Sequence, residues 1–181
     1  MMSGNTGGDH FAEANARMMQ DMHSTRPTGD VDYDFVVGMI PHHQGAVDMS
    51  EVLLASEQAD PELRMLATEI VQAQTREMQF MQTWLSRYGE PRPGDNADAV
   101  IQGYQRSMMT MMSGMQRRSA NDINQQFVTG MIPHHQAAVE MAGVVLEFSS
   151  NTELRNMAEA VIREQEREIR QMRDWQNRYQ P

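Results

Sequence analysis

The chain carries one segment twice. "GMIPHHQGAVDM" (Gly38 to Met49) returns 92 positions later as "GMIPHHQAAVEM" (Gly130 to Met141), changed only at Gly45/Ala137 and Asp48/Glu140. The match extends outward: "FVVGMIPHHQGAVDMSEVLL" pairs with "FVTGMIPHHQAAVEMAGVVL" at the same offset. One residue is lost in the next turn, and "ELRMLATEIVQAQTREMQFMQTWLSRY" then pairs with "ELRNMAEAVIREQEREIRQMRDWQNRY" at an offset of 91. A Met-rich stretch precedes each copy, "ARMMQDM" in one and "RSMMTMM" in the other. Whatever structure one half adopts, the other adopts as well, so the fold must be an arrangement of two like units. "GEPRPGDN" (Gly89 to Asn96), with two prolines and two glycines, is the hinge between them. The expected organisation is a tether over 1–8, a first helical repeat over 9–90, and the hinge with a second repeat over 91–181, all in one compact domain.

Each half reads as three helices. Leu63, Leu66, Ala67, Ile70, Gln74, Met81, Trp84, Leu85 and Tyr88 recur at steps of three and four and form one stripe. Phe35, Val36, Met39, His42, His43, Ala46, Val47, Ser50, Leu53 and Leu54 form a broad face on the preceding helix, with Asp48 and Glu51 pointing away. Asp60-Pro61-Glu62 is a helix start, with an Asp cap, proline at the first helical position and an acid in the first turn. Asn151-Thr152-Glu153 holds the same place in the second copy. No stretch alternates as a strand would. Helices that each bury one stripe need partners, and two copies of a helix pair make a four-helix bundle. The Met-rich helices, about Asp9 to Ser24 and Ala97 to Arg118, are expected against its side or end. The tryptophans Trp84 and Trp175 read as core anchors, and Arg163 to Arg178 as a solvated face with ion pairs four residues apart.

Composition excludes several functions. No apolar run approaches the length of about 20 residues that a spanning helix needs. The 15 basic residues, all arginine, against 25 acidic ones leave a net charge of −10, opposite to what nucleic acid selects. With no cysteine there are no disulfides and no thiolate metal sites, which fits an oxidising compartment. The opening "MMSGNTGGDH" reads as a flexible tether of the kind left when a leader is removed. A periplasmic or extracellular location, with a lipid-anchored precursor as a variant, is the expectation. The anomaly is 19 methionines.

Four of the six histidines lie in the duplicated segment, each pair behind a methionine and a proline. Pro41 falls about ten residues into a helical pattern. It either kinks the helix, by removing the bond to the Val37 carbonyl, or marks a restart. Adjacent helical residues face different directions, so His42 and His43 cannot chelate one ion together. Met39, three and four residues earlier, can approach either of them. The unit expected is a methionine and one histidine from this helix, completed from another, and His134 and His135 repeat it.

Further donors lie upstream, at Met18, Met19, Met22 and His23, and at Met108, Met109, Met111, Met112 and Met115. Methionine also fills irregular cores and adaptable partner surfaces. A core needs one stripe, however, and "MMTMM" presents thioethers nearly all round. Thioethers are soft neutral donors that select Cu(I) in a protein without thiols, and imidazole also suits Cu(II). Gln74, Glu77, Gln165 and Glu168 fall on or near the apolar stripe, where a carboxylate needs a partner. Orienting a histidine by accepting its second N–H is their simplest role. Joining the carboxylates to the histidines as a di-iron or di-manganese oxidase site is the rival. Bundle sites of that type use Glu-x-x-His pairs, which this chain lacks. In a third reading, Glu and His merely pair across a structural or partner-binding bundle with a Met-rich surface.

The paired "GMIPHHQ" segments, each followed by "ELR" and a terminal Trp and Tyr, resemble the bacterial family called domain of unknown function 305. The resemblance covers nearly everything from Asp32 onward apart from the hinge. It implies a ferritin-like four-helix bundle, usually exported, with copper as the bound ion in members linked to copper resistance. Carried onto this chain, the ligands fall on Met39, His42, His43 and Met49, on Met131, His134, His135 and Met141, and on the upstream methionines. The expected function is sequestration or carriage of Cu(I), with Cu(II) as a second state, by a protein that is not an enzyme. A copper-exporting or copper-accepting protein is the partner in view.

Overall fold

The computed structural model describes residues 8–115 and 121–179, so residues 1–7 of the expected tether and the last residues of the second Met-rich segment lie outside it. Six helices follow in order: α1 (Ala12–His23), α2 (Val31–Leu54), α3 (Pro61–Tyr88), α4 (Ala97–Met115), α5 (Ile123–Phe148) and α6 (Thr152–Tyr179). Among the described residues there is no strand. The fold is all-α, and residues 89–96 join α3 to α4.

Helix ends follow the sequence signals. The Asp60 side chain accepts from the amides of Glu62 at 2.9 Å and Leu63 at 3.3 Å, and Asn151 accepts from Leu154 at 3.0 Å. Asp30 caps α2 from Asp32 and Tyr33, and also accepts from the Tyr88 hydroxyl at 2.7 Å, tying the start of α2 to the end of α3. The repeated "ELR" has a double use. Leu63 and Leu154 are fully buried, while the adjacent arginines turn back onto the preceding helix. Arg64 donates to the carbonyls of Leu54 and Ser56 at 3.0 and 2.7 Å. Arg155 donates to those of Leu146 and Ser149 at 2.8 and 3.0 Å. Each arginine satisfies carbonyls that a helix C-terminus leaves bare and locks the hairpin closed.

In the bundle, α2 pairs with α3, α5 with α6, and α2 with α5 across the centre, while α1 lies on α2 and α4 on α5. The α2–α5 pair is antiparallel, because Gly38 lies beside Met141 and Gly130 beside Met49. α4 packs tightly on α5: a Cβ on Gly103 would meet Val144 Cγ2 at 2.7 Å, and one on Gly114 would meet Pro133 at 2.1 Å. The prolines do not restart their helices. α2 runs unbroken through Pro41 and α5 through Pro133, which overturns the restart reading. Packing of both long helices against neighbours outweighs the one lost backbone bond.

The interior has two apolar ends. One holds Phe35, Val36, Met39, Met81, Met141, Val145, Leu154 and Val161 among others. The other holds Met49, Leu53, Leu66, Ile70, Phe127, Met131, Met172 and Trp175. Trp175 is a core anchor as expected, whereas Trp84 is only half-buried and stacks on Tyr88 at 4.4 Å. The Arg163–Arg178 stretch departs from expectation. Its ion pairs cross to α3, from Arg167 to Glu69 at 3.5 Å and from Arg178 to Glu62, instead of running along α6.

Candidate metal centre

Between the two apolar ends lies a polar layer to which every bundle helix gives two side chains: His42 and His43, Gln74 and Glu77, His134 and His135, Gln165 and Glu168. Seven of the eight are buried, and Glu77 is partly exposed. A layer of this composition costs stability unless its polar groups are paired. Half of it is paired. His43 Nε2 donates to Glu77, and His135 Nε2 donates to Glu168 at 2.8 Å. An ionised carboxylate only accepts, so in both pairs Nε2 carries the proton and the lone pair is left on Nδ1. Both Nδ1 atoms are buried without a hydrogen-bonding partner.

The other half is unpaired. His42 and His134 stack face to face, ring centroids 3.7 Å apart and planes 24° apart, and none of their four ring nitrogens has a partner in hydrogen-bonding geometry. Both rings are held neutral, their pKa values well below the ordinary histidine value. Burial is the main cause; the neighbouring histidines add to it, and the backbone of the opposing helix pulls weakly the other way. His42 and His43 thus point in separate directions, as helical spacing requires. Glu77 and Glu168 each bond to a histidine. Gln74 and Gln165 are buried in the same layer, neither is bonded to a histidine, and their Oε1 atoms are unpartnered.

Methionines lie on both sides of this layer. Met39 and Met141 belong to one apolar end, Met49 and Met131 to the other, and all four are buried. Met141 Cε lies 3.3 Å from where a Gly38 Cβ would be, and Met49 Cε 3.1 Å from that of Gly130, so each reaches across the α2–α5 crossing. The Met-rich helices converge as well. Met18 and Met22 of α1, Met111 of α4 and Ala137 of α5 form one buried cluster, with Met19, Met108 and Met115 around it. Ala137 stands three residues past His134, so this thioether cluster lies about one helical turn from the layer. Met109 is 66% exposed and Met112 36%, so "MMTMM" does present sulfur on several faces. His23 is exposed at the last turn of α1. A cleft of about 360 Å³ opens beside the cluster, with Met22, Met108, Met109 and Met141 in its wall next to Gly38.

Among the described residues, no three His, Cys, Asp or Glu side chains are grouped so as to hold a metal ion by themselves. Imidazole lone pairs are available, each carboxylate of the layer accepts from a histidine N–H, and the other donors nearby are thioethers and the amide oxygens of Gln74 and Gln165. That donor set fits a soft or borderline ion. Two groups escaped the sequence reading. Ser50, on the broad face of α2, has a buried hydroxyl oxygen without a partner, and Glu164 is half-buried beside Glu77 and Glu168. Burial, followed by those two carboxylates, raises the Glu164 pKa. Ser50 was visible as a polar residue on an apolar face; Glu164 had no signal apart from α6.

Fold and site define an all-α helical bundle with a histidine layer across its middle. The family model described as domain of unknown function (DUF305) matches residues 32–176, and the chain belongs to that family. Similar solved structures include CopM in the Cu(I)-bound form, at 32% identity over 83% of this chain and 98% of that one, TM-score 0.64. CopM in the Cu(II)-bound form matches at 32% identity over 82% and 98%, TM-score 0.63. A DUF305 fragment from Deinococcus radiodurans matches at 28% identity over 85% and 99%, TM-score 0.63. CopM has also been solved bound to silver. No curated protein matches the chain.

Proposed function

We propose that this protein binds copper, as Cu(I) and also as Cu(II), and sequesters or carries it without catalysing a reaction. The observation that carries the reading is the set of buried imidazole nitrogens without hydrogen-bonding partners at His42, His43, His134 and His135. Unpaired polar atoms in a dry interior are costly, and ligation of a metal offsets that cost. The CopM structures with Cu(I) and Cu(II) bound support copper as the ion. Met39, Met49, Met131 and Met141 flank the layer as thioether partners, and Met18, Met19, Met22, Met108, Met109, Met111, Met112 and Met115 supply a softer set beside it. His23 is the outlying member of that set.

Glu77 and Glu168 fix two histidines in the tautomer that leaves Nδ1 free for the ion. With both carboxylates engaged this way, the oxidase alternative gains no support from the geometry. The location we propose is periplasmic or extracellular, where thioethers replace thiols, and the role is copper resistance or homeostasis with a copper-exporting or copper-accepting partner. No helix among the described residues is long and apolar enough to cross a membrane.

The test is an anaerobic Cu(I) titration against a coloured chelator, with Fe(II) and oxygen run in parallel. Several tightly held Cu(I) ions and no iron oxidation are expected. Weak copper binding with two irons taken up and oxidised would replace this reading with the oxidase.

A further inference from the structure

The duplicated segment differs at Gly45 and Ala137, and the first of these sits where α1 touches α2. Gly45 is buried in mid-helix, a position that glycine disfavours, and its φ is not positive. Nothing in the backbone calls for glycine there. The neighbouring side chain does. A Cβ at Gly45 would lie 2.4 Å from Sδ of Met18, 2.9 Å from its Cγ and 3.2 Å from its Cβ. The thioether therefore rests directly on the backbone of α2, in space that any other residue would fill. At the matching place on α5, Ala137 carries a methyl group, and the thioether cluster packs against it.

His42 precedes Gly45 by three residues and Met49 follows it by four, so all three share one side of α2. The Met18 sulfur reaches α2 between them. We propose that Gly45 is a positioning residue that admits the Met18 thioether to the ligand set of His42. The ion bound at His42 then gains a thioether that the absence of a side chain at Gly45 admits, and with it a stronger preference for a soft monovalent state. This rests on the copper-binding reading and adds to it a positioning residue for one sulfur donor.

The test compares Gly45→Ala, Met18→Leu and their double variant by anaerobic Cu(I) competition and by counting sulfur neighbours of bound Cu(I) with X-ray absorption. Helicity and melting temperature serve as folding controls, and alanine favours the helix. Each single variant should weaken one class of Cu(I) site about tenfold or more and remove one sulfur neighbour from it. The double variant should do no more than either alone. If Met18→Leu weakens binding but Gly45→Ala alters neither affinity nor sulfur count, the positioning role is wrong and the copper reading stands. If both leave binding intact, Met18 is not a ligand and the inference fails. If the wild-type protein holds no Cu(I), the inference and the reading beneath it fall together.

Discussion

The stacked pair His42 and His134 should make the metal-free protein lose stability in mild acid, by an amount the structure sets. In the unfolded chain each ring titrates near pH ~6.5. In the folded protein both pKa values are well below that, chiefly because the rings are wholly buried. A depressed folded-state pKa gives stability that is present above the unfolded value and lost as pH falls toward the folded one. With both rings still neutral in the fold, moving from pH ~7.5 to ~5.5 costs on the order of 1 kcal/mol per histidine, so roughly 2–3 kcal/mol for the pair. For a chain of this size that corresponds to a fall of roughly 5–10 °C in melting temperature. The carboxyls raised by burial, Asp32, Asp34 and Glu164, have the opposite sign: their contribution is present below the unfolded carboxyl value and lost as pH rises through the folded one. They and the pairs His43–Glu77 and His135–Glu168 are common to wild type and to the variant His42→Leu/His134→Leu, so the difference isolates the stack. The assay is urea unfolding followed by circular dichroism, with a chelator present, at half-unit pH steps. The variant should show a pH dependence flatter by roughly 2–3 kcal/mol across this window. Equal slopes for the two proteins would refute the argument, because the rings would then be binding protons in the fold as readily as outside it.

Glu168→Ala should cost more stability than Glu77→Ala, by about 1 kcal/mol or more, because the Glu168 side chain is 2% exposed and that of Glu77 20%. Equal urea midpoints would remove the distinction between the two pairs. Replacing Met108, Met109, Met111 and Met112 together by Leu keeps volume nearly constant. It should lower Cu(I) stoichiometry with helicity intact, and unchanged stoichiometry would confine these residues to packing and surface. Phe127 is fully buried and contacts Phe11 at a ring distance of 6.2 Å, so Phe127→Ala should cost about 3–5 kcal/mol in urea unfolding.

Much of this molecule was legible because its physics is periodic or local. Stripes at Leu63, Leu66 and Ile70, and caps at Asp60 and Asn151, depend on neighbours within a few residues, so helices and their starts could be read directly. The carboxylates at Glu77 and Glu168 announced themselves by lying on an apolar stripe. What failed to read directly depends on contacts between helices. Pro41 looked as capable of starting a helix as of interrupting one, and only the packing of α2 between α3 and α5 decides. Gln74 and Glu77 looked alike as histidine partners, yet their heights in the bundle give the carboxylate the bond and leave the amide oxygen bare.

The sequence by itself pointed to two like halves, three helices in each, and to histidine, methionine and carboxylate on the faces those helices bury. Periodicity and duplication suffice for that. Only the tertiary structure decided that all four histidines form one layer, that His42 meets His134 while His43 meets Glu77, and that methionines from α1 and α4 gather in one cluster beside them. The meeting of His42 with His134 follows from the antiparallel crossing of α2 and α5, which brings residues 92 positions apart to the same height, and the other contacts from the docking of α3 on α2, α1 on α2 and α4 on α5. Spacing along the chain states which face a side chain occupies, but not what stands opposite it.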